Sequence, residues 1–190
     1  RMGHNTDWWG FAEGFKRQLP GADLSAVVQI GAGGAGAATA YAVLAMGARS
    51  LTIFDIDPNK ASDLASLMAR NFPEASVTVA TDLQSVLDGA TGLVHATPMG
   101  MDKHPGMPLP AELLHPGLWV AEVVYFPLET ALLQAARKRG CRVANGGGMA
   151  VFQAVGAFSL FTGLEPDVGR MLRHFADLTQ PGPLRLPETA

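Results

Sequence analysis

The sequence predicts an α/β fold: a doubly wound parallel sheet of about six strands with extra C-terminal helices. Three observations point there. Apolar runs alternate with helix-spaced segments from residue 26 to residue 145, the pattern of βα units that build a parallel sheet. The first run, Val27-Val28-Gln29-Ile30, enters a glycine-rich turn and then a segment of small residues that reads as a helix. After Gly146-Gly147-Gly148 two helical segments follow with no strand between them, so they need not belong to the sheet.

Each element has its own justification. Asn5-Thr6-Asp7 precede Trp8, Phe11, Phe15 and Leu19, an apolar stripe at helical spacing. Asn5 or Thr6 can cap that helix, and Pro20-Gly21 stop it. Strands are expected near 26–30, 50–55, 77–80, 92–95, 119–124 and 142–145. Helices are expected over 35–46, 58–71, 83–88 and 128–139, with Gly47 and Gly140 as stops. A helix over 149–162 ends at Gly163, and another over 167–178 opens at Asp167 after Pro166. The organisation this implies is a connecting helix (1–20), a domain built on the parallel sheet (21–148), closing helices (149–180) and a loose, proline-containing tail (181–190).

The glycine run carries the strongest signal. Gly31-Ala32-Gly33-Gly34-Ala35-Gly36 reads G-x-G-x-x-G between a strand and a helix, and Asp55 stands nineteen residues past Gly36 at the end of a second apolar run. This is the dinucleotide-binding fingerprint in its required context, which makes the fold Rossmann-like. Gly31 allows the tight turn, Gly33 lets backbone approach a pyrophosphate, and Gly36 lets the helix pack close to the strand. The amides that open the helix face the phosphates. A carboxylate at Asp55 suits ribose hydroxyls and repels a 2′-phosphate. No arginine lies between it and Arg70, and Lys60 is the only nearby cation, so NAD is expected rather than NADP. Asp57, followed by Pro58 at a first helical position, reads as an ordinary N-cap.

Composition narrows the field. The chain has 190 residues, 48% of them hydrophobic, and a net charge of -3, enough to bury a core and not a disordered composition. The four lysines (Lys16, Lys60, Lys103, Lys138) are scattered, which speaks against a nucleic-acid surface. The single cysteine, Cys141, excludes an internal disulfide and suits a reducing compartment. No apolar run reaches the ~20 residues of a membrane span and no signal-peptide pattern opens the chain, so the expected compartment is the cytoplasm. The five histidines lack ligand spacing, so no metal is expected. The chain reaches a motif by Gly3 with no lead-in, which reads as a piece of a longer protein.

Four further segments can carry chemistry. Gly3-His4-Asn5-Thr6-Asp7 either caps a helix or presents polar groups to a substrate. His95-Ala96-Thr97-Pro98-Met99-Gly100-Met101 follows the fourth strand, at the carboxyl edge where open α/β sheets bind ligands; it is either a pocket wall or a rigid turn. Tyr125 ends the fifth strand and either touches substrate or satisfies its hydroxyl within the protein. Gln153 lies one turn beyond Met149 among Val151, Phe152, Ala154 and Val155 and needs a partner, from substrate or from backbone.

Taken together, the motifs resemble the shikimate dehydrogenase family. G-x-N-T-D, the glycine loop, A-T-P-M-G-M, Y-x-P-x-x-T and G-M-x-x-x-Q followed by F-x-x-F-T-G occur in family order from Gly3 to Leu178. Asp55-Ile56-Asp57 resembles the NAD-preferring quinate/shikimate dehydrogenases. The resemblance implies reversible hydride transfer between NAD(H) and the C3 alcohol or ketone of shikimate or quinate. It also implies roles: Asp7 as the aspartate of a catalytic Lys–Asp pair, Tyr125 and Gln153 on substrate, Val123, Gly146 and Met149 flanking the nicotinamide, and Thr97 on the cofactor's other side. Glu122 and Asn145 stand where the family usually has aspartates. The family's lysine-bearing first domain has no counterpart here, so this chain alone is expected to bind cofactor without turnover. A non-catalytic NAD-binding module is the alternative. Phe158, Leu160, Phe161, Leu172 and Phe175 are expected to form an apolar outer face toward that domain or in a homodimer.

Overall fold

A computed structural model describes residues 3–179. The elements are α1 (Asp7–Gln18), β1 (Val27–Ile30), α2 (Gly34–Ala45), β2 (Ser50–Phe54), α3 (Pro58–Asn71), β3 (Ser76–Val79), α4 (Leu83–Leu87), β4 (Gly92–His95), a 3-10 turn (Ala111–Leu113), β5 (Trp119–Glu122), α5 (Ala131–Lys138), β6 (Arg142–Ala144), α6 (Gly147–Thr162) and α7 (Val168–Thr179). All strands pair in parallel, in the order β3-β2-β1-β4-β5-β6. The order reverses between β1 and β4, and a crevice opens there beyond the carboxyl ends of the strands. The expected tail, from Gln180 on, lies outside the described residues.

Alternation along the strands builds two cores. Val27, Leu51, Ile53, Val94, Trp119 and Ala121 face α1, α2 and α3, together with Phe11 and Phe15. Val28, Ile30, Leu93 and Val120 face the other way, onto Leu87, Leu132 and Leu133 of α4 and α5. The sheet is therefore covered on both faces, as parallel sheets require. Phe15 meets Trp119 edge to face at 4.8 Å between centroids, and the Trp119 indole donates to the Asp23 carbonyl at 2.7 Å. This pins α1 across the sheet.

The helix ends follow local chemistry. Asp57 caps α3 by accepting from Asn59 N at 3.0 Å. Asp82 caps α4 through Gln84 N and Ser85 N. At α1 the cap divides: Thr6 occupies the cap position without a side-chain bond, and Asn5 Oδ1 accepts from Asp7 N at 2.8 Å. Three boundaries depart from the sequence expectation by more than one residue. Helix α5 begins at Ala131 rather than 128, because Thr130 caps it by accepting from Leu133 N. Strand β5 ends at Glu122 rather than 124, where its pairing with β4 ends. Helix α6 starts at Gly147 rather than 149.

The last two helices form a third, small core: Val151, Phe152 and Val155 pack with Trp9, Met171, Leu172 and Phe175. Phe158, Leu160 and Phe161 are exposed, Phe161 at 89%, as are Leu164 and Leu178. Leu172 and Phe175 correct the sequence expectation: they are half-buried against α6 and do not belong to the exposed face. No helix among the described residues is long and apolar enough to cross a membrane.

Candidate functional site

The glycine turn is built around Gln29, a polar residue that is fully buried in β1. Its amide donates to the carbonyls of Gly31 (2.9 Å) and Gly36 (2.8 Å), and its oxygen accepts from Thr39 Oγ1 (2.9 Å). These bonds tie strand, turn and helix together without occupying the outward amides. Gly31 adopts φ +106, and a Cβ there would stand 2.5 Å from the Ala96 carbonyl oxygen. Gly36 meets Gly31 so closely that a Cβ would lie 2.3 Å from its oxygen. Gly33, by contrast, faces open space. Helix α2 has no side-chain cap and no acidic residue in its first turn, which leaves its first amides free for an anion.

Asp55 is half-buried beside this turn. Its carboxylate accepts from Ala32 N at 2.7 Å and from Asp57 N at 2.9 Å. It thus fixes the glycine turn to the end of β2, a structural duty the sequence did not reveal.

A cleft of about 1030 Å³ lies at the sheet's carboxyl edge. Of the residues singled out in the sequence, it brings together Asp7, Gly33, Gly34, Ala35, Thr97, Val123, Tyr125, Met149 and Gln153. Gly31, Ala32, Asp55 and Gly146 do not line it. Gly146 is buried beneath, and a Cβ there would lie 2.3 Å from the Val123 carbonyl oxygen. Lys103, one of the scattered lysines of the sequence, is the one cationic residue on the cleft wall among the described residues. It sits in a hairpin closed by the Gly100 N to His104 O bond at 2.7 Å.

The position of Asp7 and Gln153 depends on how α1 meets α6. A Cβ on Gly10 would stand 2.5 Å from Gln153 N, and one on Gly14 2.8 Å from the Gly148 carbonyl carbon. Small residues let the two backbones nearly touch, and both polar side chains reach one cleft. Among the described residues the Asp7 carboxylate makes no hydrogen bond, while Gln153 Nε2 donates to the Ala150 carbonyl at 3.2 Å. Tyr125 is 52% exposed, and its ring centroid lies 6.4 Å from that of Phe175.

The role of His95 is what sequence reasoning missed. It is fully buried at the end of β4. Its Nδ1 lies 2.8 Å from Glu122 Oε1 and its Nε2 2.6 Å from Thr97 Oγ1. Glu122, also buried, accepts from Thr130 Oγ1. Each closes its strand, and the two pair in register.

No protein-family model matches the chain. It is 59% identical over 179 residues to "Shikimate dehydrogenase (NADP(+))" of Streptomyces avermitilis, covering 93% of this chain and 62% of that protein. It is 48% identical over 178 residues to "Quinate/shikimate dehydrogenase (NAD(+))" of Corynebacterium glutamicum, covering 93% and 63%. In structure it resembles the quinate dehydrogenase from Corynebacterium glutamicum in complex with NAD, with a TM-score of 0.87 and 47% identity over 92% of this chain and 63% of that one. The chain thus spans less than two thirds of the length of the relatives it matches. Over the residues it spans, the chain is similar to the C-terminal part of shikimate and quinate dehydrogenases.

Proposed function

We propose that this chain is the nucleotide-binding part of an NAD-dependent shikimate or quinate dehydrogenase. The observation that carries the reading is the cleft. An uncapped helix start with open space at Gly33 meets two polar side chains, Asp7 and Gln153, across a wall of Thr97, Val123 and Met149. A dinucleotide fits there: its pyrophosphate on the α2 amides, its adenosine ribose toward Asp55, its nicotinamide between Val123, Met149 and Thr97. Gly31 and Gly146 support this site from below, and Ala32, Gly34 and Ala35 supply its backbone.

The cofactor is read as NAD. Relatives carry both names, NADP(+) and NAD(+). In this chain the end of β2 presents Asp55 with Asp57 beside it, and like charges ~4 Å apart repel by about 4 kcal/mol at an effective dielectric near 20. The anchored Asp55 cannot swing aside without releasing the glycine turn, so a 2′-phosphate would meet a fixed negative charge.

Bound nicotinamide supplies the hydride donor and acceptor. The chain's own residues orient and hold protons. Asp7 presents a carboxylate with no hydrogen-bond partner among the described residues, suited to accept a hydrogen bond from a substrate hydroxyl. Gln153 Oε1 offers an acceptor, and the Tyr125 hydroxyl a donor, at the same mouth. A proton donor for the developing alkoxide is still needed. The proposal assigns it to a lysine in the part of the relatives that lies outside the match. Alone, this chain binds NAD(H) without turning over shikimate or quinate. Fluorescence titration of the chain with NADH and NADPH tests the reading: NADH binds more tightly. Tighter NADPH binding overturns the cofactor assignment, and no binding of either overturns the whole.

A further inference from the structure

The row Thr97–His95–Glu122–Thr130 runs inward from the cleft wall: Thr97 is half-buried on the wall, and the other three are buried behind it and have no part in the chemistry above. Every polar atom in it has a partner, so the positions of its protons can be worked out. Thr130 Oγ1 accepts from Leu133 N at 3.2 Å, so its own O–H goes to Glu122 Oε2. Glu122 Oε1 then accepts a hydrogen bond from His95 Nδ1–H at 2.8 Å. At the far end, Thr97 Oγ1 accepts from Met99 N at 3.2 Å and faces His95 Nε2 at 2.6 Å. His95 and Glu122 are both wholly shielded from solvent.

We propose that His95 is a positioning residue for the cleft wall: Glu122 holds it as the neutral Nδ1–H tautomer, so that Nε2 accepts the hydroxyl proton of Thr97. The proton of Thr97 is thereby drawn inward, and its oxygen braces the turn at Met99. At Thr97 the cleft is offered a lone pair and no hydroxyl donor, which suits a ligand group carrying N–H or O–H. Ring-nitrogen identity in histidine is set by whatever partner the other nitrogen has, and here that partner is a carboxylate two bonds removed from the cleft.

Glu122→Gln isolates the effect. The Thr130 hydroxyl still needs an acceptor, so the new amide turns its oxygen to Thr130 and its NH2 to His95 Nδ1. The ring proton then moves to Nε2, Thr97 must accept it, and the Thr97 hydroxyl swings out toward the cleft. Nothing is lost in volume, yet the wall changes from acceptor to donor.

The test is made on the 190-residue chain. Two-bond 15N–1H correlation spectra of the His95 ring report the tautomer directly, a signature that packing alone does not move. The expected result is Nδ1–H in the parent, Nε2–H in Glu122→Gln, and Nδ1–H again in Glu122→Asp. A protonated Nε2 in the parent, or an unchanged tautomer in Glu122→Gln, overturns the proposal. NADH titration gives the second arm, which rests on the nucleotide reading. His95→Phe and Thr97→Val each weaken binding about tenfold, roughly one hydrogen bond's worth, and the double variant is no weaker than either. Additive losses or unchanged affinities overturn the positioning role. If the parent binds no NADH, the nucleotide reading fails, and the ring spectra still decide the tautomer.

Discussion

Gly10 on α1 lies so close beneath Gln153 on α6 that a Cβ would stand 2.5 Å from the Gln153 backbone nitrogen. The obstruction is backbone, so no rotamer change relieves it. Gly10→Ala therefore forces the helices apart, at about 1–3 kcal/mol. Urea unfolding should show this loss, whereas Gly3→Ala, in open space, should leave the midpoint unchanged. Because Asp7 lies less than one turn from Gly10 on the same helix, the variant should also disturb the mouth of the cleft.

Cys141 makes a second expectation. It is 8% exposed and its Sγ donates to the His115 carbonyl at 3.2 Å. Burial pushes its thiol above the usual value, partly opposed by a backbone hydrogen bond and by Arg139. The thiolate is the reactive form, so at pH 8 the folded chain should react with iodoacetamide far more slowly than the urea-unfolded chain. The sign for stability follows. The folded thiol holds its proton more tightly than the unfolded one, so this contribution is whole below the unfolded thiol's pKa and fades as pH rises through the folded value. A Cys141→Ser chain should lose less stability on alkaline titration than the parent.

Much of the architecture was legible because its signals are local. Alternating apolar runs mark all six strands, and the glycine turn with Asp55 marks the crevice at which they reverse order. What escaped was non-local. The bond from Ala32 N to Asp55 joins residues 23 positions apart, so the sequence showed Asp55 as a ligand group and hid its anchoring duty. His95 looked like one of several scattered histidines because its partners stand on β5 and on the turn after its own strand. Gly10 and Gly14 carry no signal in the sequence, and only the crossing with α6 shows why alanine does not fit. Helix α5 starts three residues later than expected because Thr130 caps it, accepting from Leu133 N.

Asp55→Ala should act twice. It removes the carboxylate expected to meet the ribose, and it releases the Ala32 and Asp57 amides. Losing two charge-assisted bonds and the order they give the turn should weaken NADH binding by about ten- to a hundredfold. Discrimination against NADPH should fall at the same time, because the fixed charge is gone. Asp55→Asn keeps one acceptor oxygen and should lie between parent and alanine in both measures. Equal weakening toward NADH and NADPH would leave Asp55 with its anchoring duty alone.

Asp7→Asn separates cofactor binding from chemistry. Its carboxylate makes no hydrogen bond among the described residues, while its backbone nitrogen is held by Asn5, so the amide should fit without moving α1. NADH affinity of the chain should stay within about twofold, since no charge on the α2 side changes. Joined to the preceding part found in its relatives, the chain should oxidise shikimate or quinate with NAD. There the Asn variant should lose about 10²–10⁴ in kcat/KM, the range for a positioned acid–base group. Steady-state rates set beside NADH titration distinguish the outcomes. A parallel loss of NADH affinity would make Asp7 a structural residue of the cleft. A full rate with Asn in place would remove it from the chemistry and leave the proton relay to other groups.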